Sequence, residues 1–398
     1  MNLIRKIFHF NPTCEIAIAN GSPYYQAPAL LRNFEEELAP ILLFFANEND
    51  HVLKETAIST SFAESLTDLG ISPANLFSRK NSMEMVQQET VRLNPWGWSP
   101  AEQNYLTGYN QQSEDQIQTS NLLSSNIFER KHSVYICNEL FDNNLNSIFP
   151  RPEQRPCIFT STQEVEHYLS KHHQIVLKSP LSSSGRGLQV IRKNKLNESN
   201  IRWIKTTLQQ QNYLVAEPLF NKKMDLSFQF EVNYSGKIAY LGISYFTTNQ
   251  NGQYAGHFLN PTNSFKNNYF SETELHEISN QVMIQLQKSV VLKMHRGFIG
   301  VDALIFEEAK QVKIQPCIEI NPRYNMGILS KFIEKRIHPE STGTFQVYYH
   351  PNICYKEFAE SEAKKNQKVL IDQFVRKGFI SLTSPTPTSK FGAYLNLI

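Results

Sequence analysis

The chain has 398 residues, 40% of them apolar and 19% charged, and lysine plus arginine outnumber aspartate plus glutamate by two. That length exceeds what one hydrophobic core organises, so two or three domains are implied and three are expected. The near-balance of charge argues against a protein that works by neutralising nucleic-acid phosphates or anionic lipid, so any anion site must be local.

Cys14, Cys137, Cys157, Cys317 and Cys354 are scattered, with no CxxC pair and no zinc-type spacing. That usage fits unpaired thiols in a reducing compartment. The opening MNLIRKIFHFNP is broken by His9 and Asn11 and reads as a first β-strand ending at Asn11-Pro12, neither a secretory signal nor an anchor. No apolar run reaches the ~18 residues of a membrane span. The expected location is the cytoplasm.

After that strand come a helix-like PALLRNFEEEL, an apolar PILLFF expected as a strand, and mixed segments to about residue 90, the order of a small α/β layer domain. NPWGWSP is turn-rich, and the polar run YNQQSEDQIQTSN after it marks a boundary. A helical pattern covers about Asn121 to Leu140, and Pro150, Pro152 and Pro156 forbid regular helix beyond it. Strands are expected at QIVLK, LQVIR, NYLVAEPLF, LSFQFEVNY and KIAYLGISYF, the last two joined by a turn at SGK. One long helix should run from about Ser271 to Met294, followed by the strand pair GFIGVDALIF and VKIQPCIEI.

Two stretches carry chemistry. In QIVLKSPLSSSGRGLQVI a strand delivers Lys178 to a loop of small and hydroxyl residues, where Gly185 and Gly187 let backbone N–H groups approach a phosphate. The lysine precedes the loop and a strand follows, so this is not a P-loop, and a Ser/Gly loop between strands is alone more often just a hairpin connection. In VDALIF and IEINPR, Glu319, Asn321 and Arg323 share one face, across from Asp302. Their oxygens are hard donors that suit Mg²⁺, and the plain alternative is a Glu319–Arg323 salt bridge.

Taken in order, Lys131, Lys178, Glu217, Asp225, Asp302, Glu319, Asn321 and Arg323 resemble the ATP-grasp superfamily, whose members include biotin carboxylase, carbamoyl phosphate synthetase and D-alanine:D-alanine ligase. The resemblance covers about residues 121 to 330. It implies an α/β fold in three parts: an N-terminal α/β domain at 1–120 and, within an ATP-grasp domain at 121–335, a small lid lobe at about 155–218 and a larger metal-binding lobe; the tail at 336–398, which the resemblance does not reach, has strand and helix patterns of its own and is expected to pack on the core as an accessory segment.

By that resemblance Lys131 (or Arg130 in its place) and Lys178 hold ATP phosphates. Ser183, Ser184, Gly185 and Gly187 belong to the loop that closes over them. Glu217 and the Pro218 carbonyl read the adenine amino group, the Phe220 N–H donates to the ring, and Asp225 takes the ribose hydroxyls. Asp302, Glu319 and Asn321 match metal ligands for Mg²⁺, two ions being expected and Mn²⁺ the substitute, and Arg323 matches the arginine aimed at the transferring group. The implied activity joins a carboxylate to an amine, with small molecules or peptides as partners and neither nucleic acid nor membrane. The alternatives are a small-molecule kinase of the same fold and a nucleotide-binding scaffold. His257, Arg296, Trp96 and Trp98 are weaker candidates, each with a packing explanation.

Overall fold

The computed structural model describes residues 4–111, 126–142, 148–182, 187–249, 252–372 and 374–398. The chain divides into two compact units, one of Met1–Leu123, Ala255–Asn263 and Tyr324–Ile398, the other of Ser124–Tyr254 and Ser264–Arg323.

The first unit begins with a parallel sheet of β1 (Lys6–His9), β2 (His51–Leu53), β3 (Leu76–Phe77) and β4 (Arg92–Pro95), in the order β3-β2-β1-β4. Ile7 and Phe8, consecutive in β1, are both fully buried, as expected of a parallel strand covered on both faces. PALLRNFEEEL supplies the helix Ala29–Leu38. The expected strand at PILLFF is instead a 3₁₀ helix, Ala39–Phe44, with all six residues buried. Pro40 near its start has a fixed φ and no N–H to give a ladder, and a short apolar run carries no periodicity to separate strand from buried helix. After β4, Trp96 packs edge-on against Phe10 with ring centroids 4.9 Å apart, and Trp98 joins the cluster around Ile7, Leu93 and Leu106. Both tryptophans therefore serve packing.

In the second unit β5 (Cys157–Phe159), β6 (Ile175–Lys178), β7 (Leu188–Ile191) and β8 (Leu214–Pro218) form an antiparallel sheet in the order β5-β8-β6-β7. One face, carrying Ile175, Leu177, Leu214 and Ala216, is buried with Val165, Leu169 and Ile204 of two helices, Thr162–His172 and Glu198–Gln211. The first of these starts at a capping box in which Ser161 and Glu164 satisfy each other's backbone N–H groups. The opposite face is left to Val176, Lys178, Val215 and Glu217 by alternation.

A second antiparallel sheet follows from β9 (Lys222–Val232) and β10 (Ile238–Thr248), then, beyond β11 (Tyr254–Leu259), from β12 (Gly297–Glu308) and β13 (Gln311–Asn321), with the order β13-β12-β9-β10 within the unit. Leu226, Phe228 and Phe230 of β9 and Val301, Ala303 and Ile305 of β12 are buried on one face. The helices Lys131–Asp142 and Glu272–Lys288 pack on this sheet and on each other. The expected single helix to Met294 breaks at Ser289, whose backbone is extended and whose hydroxyl donates to Leu286 O at 2.6 Å. A serine that bonds its own backbone, followed by two valines, favours ending the helix there. Between β12 and β13, Ala309 and Lys310 both take positive φ, 49° and 66°, so EEAKQ is a tight hairpin extension.

The rest of the first unit is an antiparallel run of β14 (Gly343–Tyr349), β15 (Val369–Ile371), β16 (Phe374–Ser381) and β17 (Phe391–Leu397), in the order β11-β14-β17-β16-β15. No described helix is long and apolar enough to cross a membrane, and none of the five cysteines is in a disulfide.

Candidate functional site

All of the motif residues that lie within the described chain belong to the second unit. On the opposite face of its smaller sheet, Val176 of β6 lies opposite Glu217 of β8 and Lys178 opposite Val215, which places Lys178 diagonally from Glu217. Both side chains are buried and they form an ion pair, with Lys178 Nζ also 3.5 Å from Ile318 O. A charge buried this far is tolerable only because it is paired. Beyond Glu217, Pro218 ends β8, Leu219 N–H donates to Gln174 O at 3.0 Å, and the Phe220 ring stacks on Phe306 with centroids 4.1 Å apart. A cavity of about 840 Å³ opens here, lined by Pro218, Leu219, Phe220, Phe306, Tyr168 and Arg151 among others; neither Lys178 nor Asp302 lines it.

The loop after Lys178 is described at its two ends. Ser183, Ser184 and Gly185 lie outside the described residues. Gly187 O accepts from Ser179 N at 2.9 Å, and a Cβ on Gly187 would collide with the Ser179 and Ser182 side chains, so glycine is required there by close approach. Arg130, buried, ties this loop to the second sheet. Its guanidinium donates to Ser179 O and Ser182 Oγ, each at 3.0 Å, and pairs with Glu319 at 2.8 Å. Lys131 turns away to Glu129 at 2.7 Å, and Glu129 in turn accepts from Tyr213. Of the two adjacent cations, Arg130 is the one that meets the other motif residues.

On β12 and β13, Asp302 lies directly opposite Glu319, with Asn321 two residues further along the same face. Asn321 Nδ2 donates to Asp302 Oδ2 at 3.2 Å, and Arg323 donates to Asn321 Oδ1 at 2.8 Å. Glu319 pairs with Arg130, which reaches across to the loop of the smaller sheet. Burial pushes the Asp302 carboxyl up to about 7, and the Glu319 and Asp225 charges add to the effect, while Ser227 and Arg323 act against it. Asp225 is buried as well, receiving Lys222 at 2.6 Å and the Thr248 hydroxyl at 2.9 Å. Cys317, just before this motif, is a fully buried thiol whose ionisation burial suppresses.

Among the described residues no group of three or more His, Cys, Asp or Glu side chains is placed to hold a metal ion. Asp302, Glu319 and the Asn321 amide nonetheless form an all-oxygen set of the incomplete kind that suits Mg²⁺, which takes its other ligands from water and phosphate. The Asp302 carboxyl is raised first by burial and next by the Glu319 charge, and a bound cation would favour its ionised form.

No protein-family model matches the sequence and no curated protein matches it. Solved structures do match. The biotin carboxylase domain dimer of 2-oxoglutarate carboxylase from Hydrogenobacter thermophilus, in complex with MgADP, ADP and bicarbonate, aligns with a TM-score of 0.52 at 9% identity, over 100% of this chain and 86% of that one. Biotin carboxylase from Campylobacter jejuni, in a β,γ-ATP complex, aligns with a TM-score of 0.51 at 10% identity, over 99% of this chain and 87% of that one. The chain has the ATP-grasp fold.

Of the weaker candidates, Arg296 finds a structural role and His257 is buried. Arg296 directs its guanidinium at the carbonyls of Leu292, Lys293 and His295, closing the C-terminus of the helix Val290–Met294. His257 is buried on β11, and burial lowers its imidazole to about 3, so it is neutral at physiological pH.

Proposed function

We propose that the chain is an ATP- and Mg²⁺-dependent ligase that joins a carboxylate to an amine through an acyl phosphate. The observation that carries this reading is the register of β12 and β13, which sets Asp302 opposite Glu319 with Asn321 beside them, on a sheet that Arg130 links to the loop following Lys178. Phosphoryl transfer asks a protein for positioned charge more than for covalent help, and this unit supplies charge of both signs within one polar face.

In this reading the lid lobe, about residues 155–218, carries Lys178 and the loop through Ser183, Ser184, Gly185 and Gly187 that surround the phosphates, aided by Arg130 or Lys131. Glu217, the Pro218 carbonyl and the Phe220 N–H read the adenine, and Asp225 takes the ribose. Asp302, Glu319 and Asn321 would hold Mg²⁺, two ions being expected, or Mn²⁺ in its place. Bound there, the metal supplies charge neutralisation for the β- and γ-phosphates. Arg323 faces the same side and stabilises the negative charge of the transferring group. A substrate carboxylate attacks the γ-phosphorus, ADP leaves, and an amine then displaces phosphate from the acyl phosphate. No protein nucleophile is needed.

The test is an ADP-release screen of the whole chain against pooled amino acids, dipeptides and small carboxylates, with mass spectrometry of any positive pool. Ligation predicts release that needs both an acid and an amine, and a product lighter than their sum by one water. A stable phosphorylated product would make the chain a kinase, and ATP binding without acceptor-dependent release would make it a scaffold.

A further inference from the structure

The antiparallel run of the first unit ends at an exposed edge. β15 pairs with β16 on one side, and among the described residues no strand pairs with its other side. Successive residues of a strand turn their N–H and C=O groups alternately to its two sides, so this outer edge carries ladder groups with no strand to receive them. Side chains alternate between the two faces in the same way. Val369, Leu370 and Ile371 are nonetheless all apolar, and with Phe374, opposite Ile371 on β16, they are between 41% and 46% exposed. Neither face of this edge is buried.

The strand is held in place. Gly378 of β16 lies so close to the residues leading into β15 that a Cβ there would meet Gln367 O and Lys368 Cα at 2.5 Å, and its φ of 114° favours glycine. Phe379 N–H donates to Asn366 O at 2.8 Å, and Lys368 pairs with Asp68 at the end of the helix Thr60–Asp68.

The flanking charges select what fits this edge. The segment reads Lys368-Val369-Leu370-Ile371-Asp372, with both charged residues exposed. A two-fold axis at Leu370 runs a second copy of the segment antiparallel to the first. Leu370 then meets its own counterpart, Val369 lies opposite Ile371 of the other copy, and Lys368 lies opposite Asp372 of the other copy at both ends. Apolar pairs and opposite charges are the cross-strand pairs that stabilise an antiparallel ladder. A one-residue slip would set charged residues against apolar ones. A lysine beside an edge ordinarily blunts it against pairing, but the aspartate beyond Ile371 makes this lysine complementary to another copy of the same strand.

We propose that β15 is a homodimerisation edge, at which two copies of this chain pair antiparallel through Lys368–Asp372 about a two-fold axis at Leu370 and continue the sheet from one protomer into its partner.

The experiment is sedimentation velocity of the full chain over a concentration series, with melting curves for each variant. The parent should form a reversible dimer. Leu370→Asp, which sets two like charges face to face at the axis, should leave a monomer. Lys368→Glu and Asp372→Lys each set like charges opposite one another at both ends of the pairing, and each should weaken the dimer by roughly 10- to 100-fold. Mixed in equal amounts, these two variants should form a one-to-one heterodimer of parental affinity, because each end then pairs an acid with a base. If Lys368→Glu, which also loses the ion pair with Asp68, does not fold, Leu370→Asp and Asp372→Lys still carry the comparison. A monomeric parent, or an undiminished dimer in folded Leu370→Asp, would overturn the proposal. So would two folded charge variants that stay apart when mixed.

Discussion

Replacing Lys178 by methionine separates what the buried ion pair does for the fold from what it does for nucleotide. Lys178 and Glu217 are 6% and 8% exposed, so Lys178→Met strands a carboxylate in a nearly dry position. Stranding one partner of a buried pair costs about 3–5 kcal/mol, which for a unit of this size lowers the melting temperature by roughly 6–20 °C. Adding Glu217→Gln removes the stranded charge, so the double variant should recover most of that loss. Nucleotide affinity should not recover. Losing a hydrogen bond to a charged phosphate costs about 1.5–3 kcal/mol, or roughly 10- to 150-fold in dissociation constant. Differential scanning calorimetry and isothermal titration with a non-hydrolysable ATP analogue, both on the whole chain, read the two effects. A double variant as stable as the parent that binds the analogue with parental affinity would refute the assignment of Lys178 to the phosphates.

Asp302→Asn should change stability with pH in a set direction. The folded protein holds the Asp302 proton up to about pH 7, above its ordinary value of 3.8, so the carboxyl destabilises the metal-free fold increasingly as pH rises from about 4 to about 7. In EDTA the variant should therefore melt higher than the parent at pH 8 and show little advantage at pH 4.5; a uniform shift at both would contradict the cause given. Glu319→Gln should keep the fold, because buried Arg130 retains its hydrogen bonds to Ser179 O and Ser182 Oγ while the repulsion of Glu319 with Asp302 is relieved. Its turnover should fall at least 10²–10³-fold, as for loss of a comparable electrostatic contact, and parental turnover with parental Mg²⁺ dependence would make Glu319 a structural ion-pair partner.

Much of this unit is legible in the sequence because its strands alternate. LSFQFEV writes its buried face as Leu226, Phe228 and Phe230, and the VDALIF and IEINPR pair announces which acidic residues share the other face. PILLFF was not legible, since a fully buried apolar run looks the same as strand or 3₁₀ helix. Nor was the break at Ser289, where the hydrophobic period continues through a residue whose hydroxyl captures Leu286 O. The choice between Arg130 and Lys131 turns on which way each side chain leaves the start of one helix, and a sequence does not record that.

The central claim is that a substrate carboxylate, once a positive pool supplies it, attacks the γ-phosphorus of ATP. Synthesis with that carboxylate labelled with ¹⁸O in both oxygens, followed by mass spectrometry of the released phosphate, tests it most directly. The account predicts one ¹⁸O in each phosphate and one remaining in the amide. Phosphate free of ¹⁸O would show that the carboxylate never carried the phosphoryl group and would contradict the acyl-phosphate route.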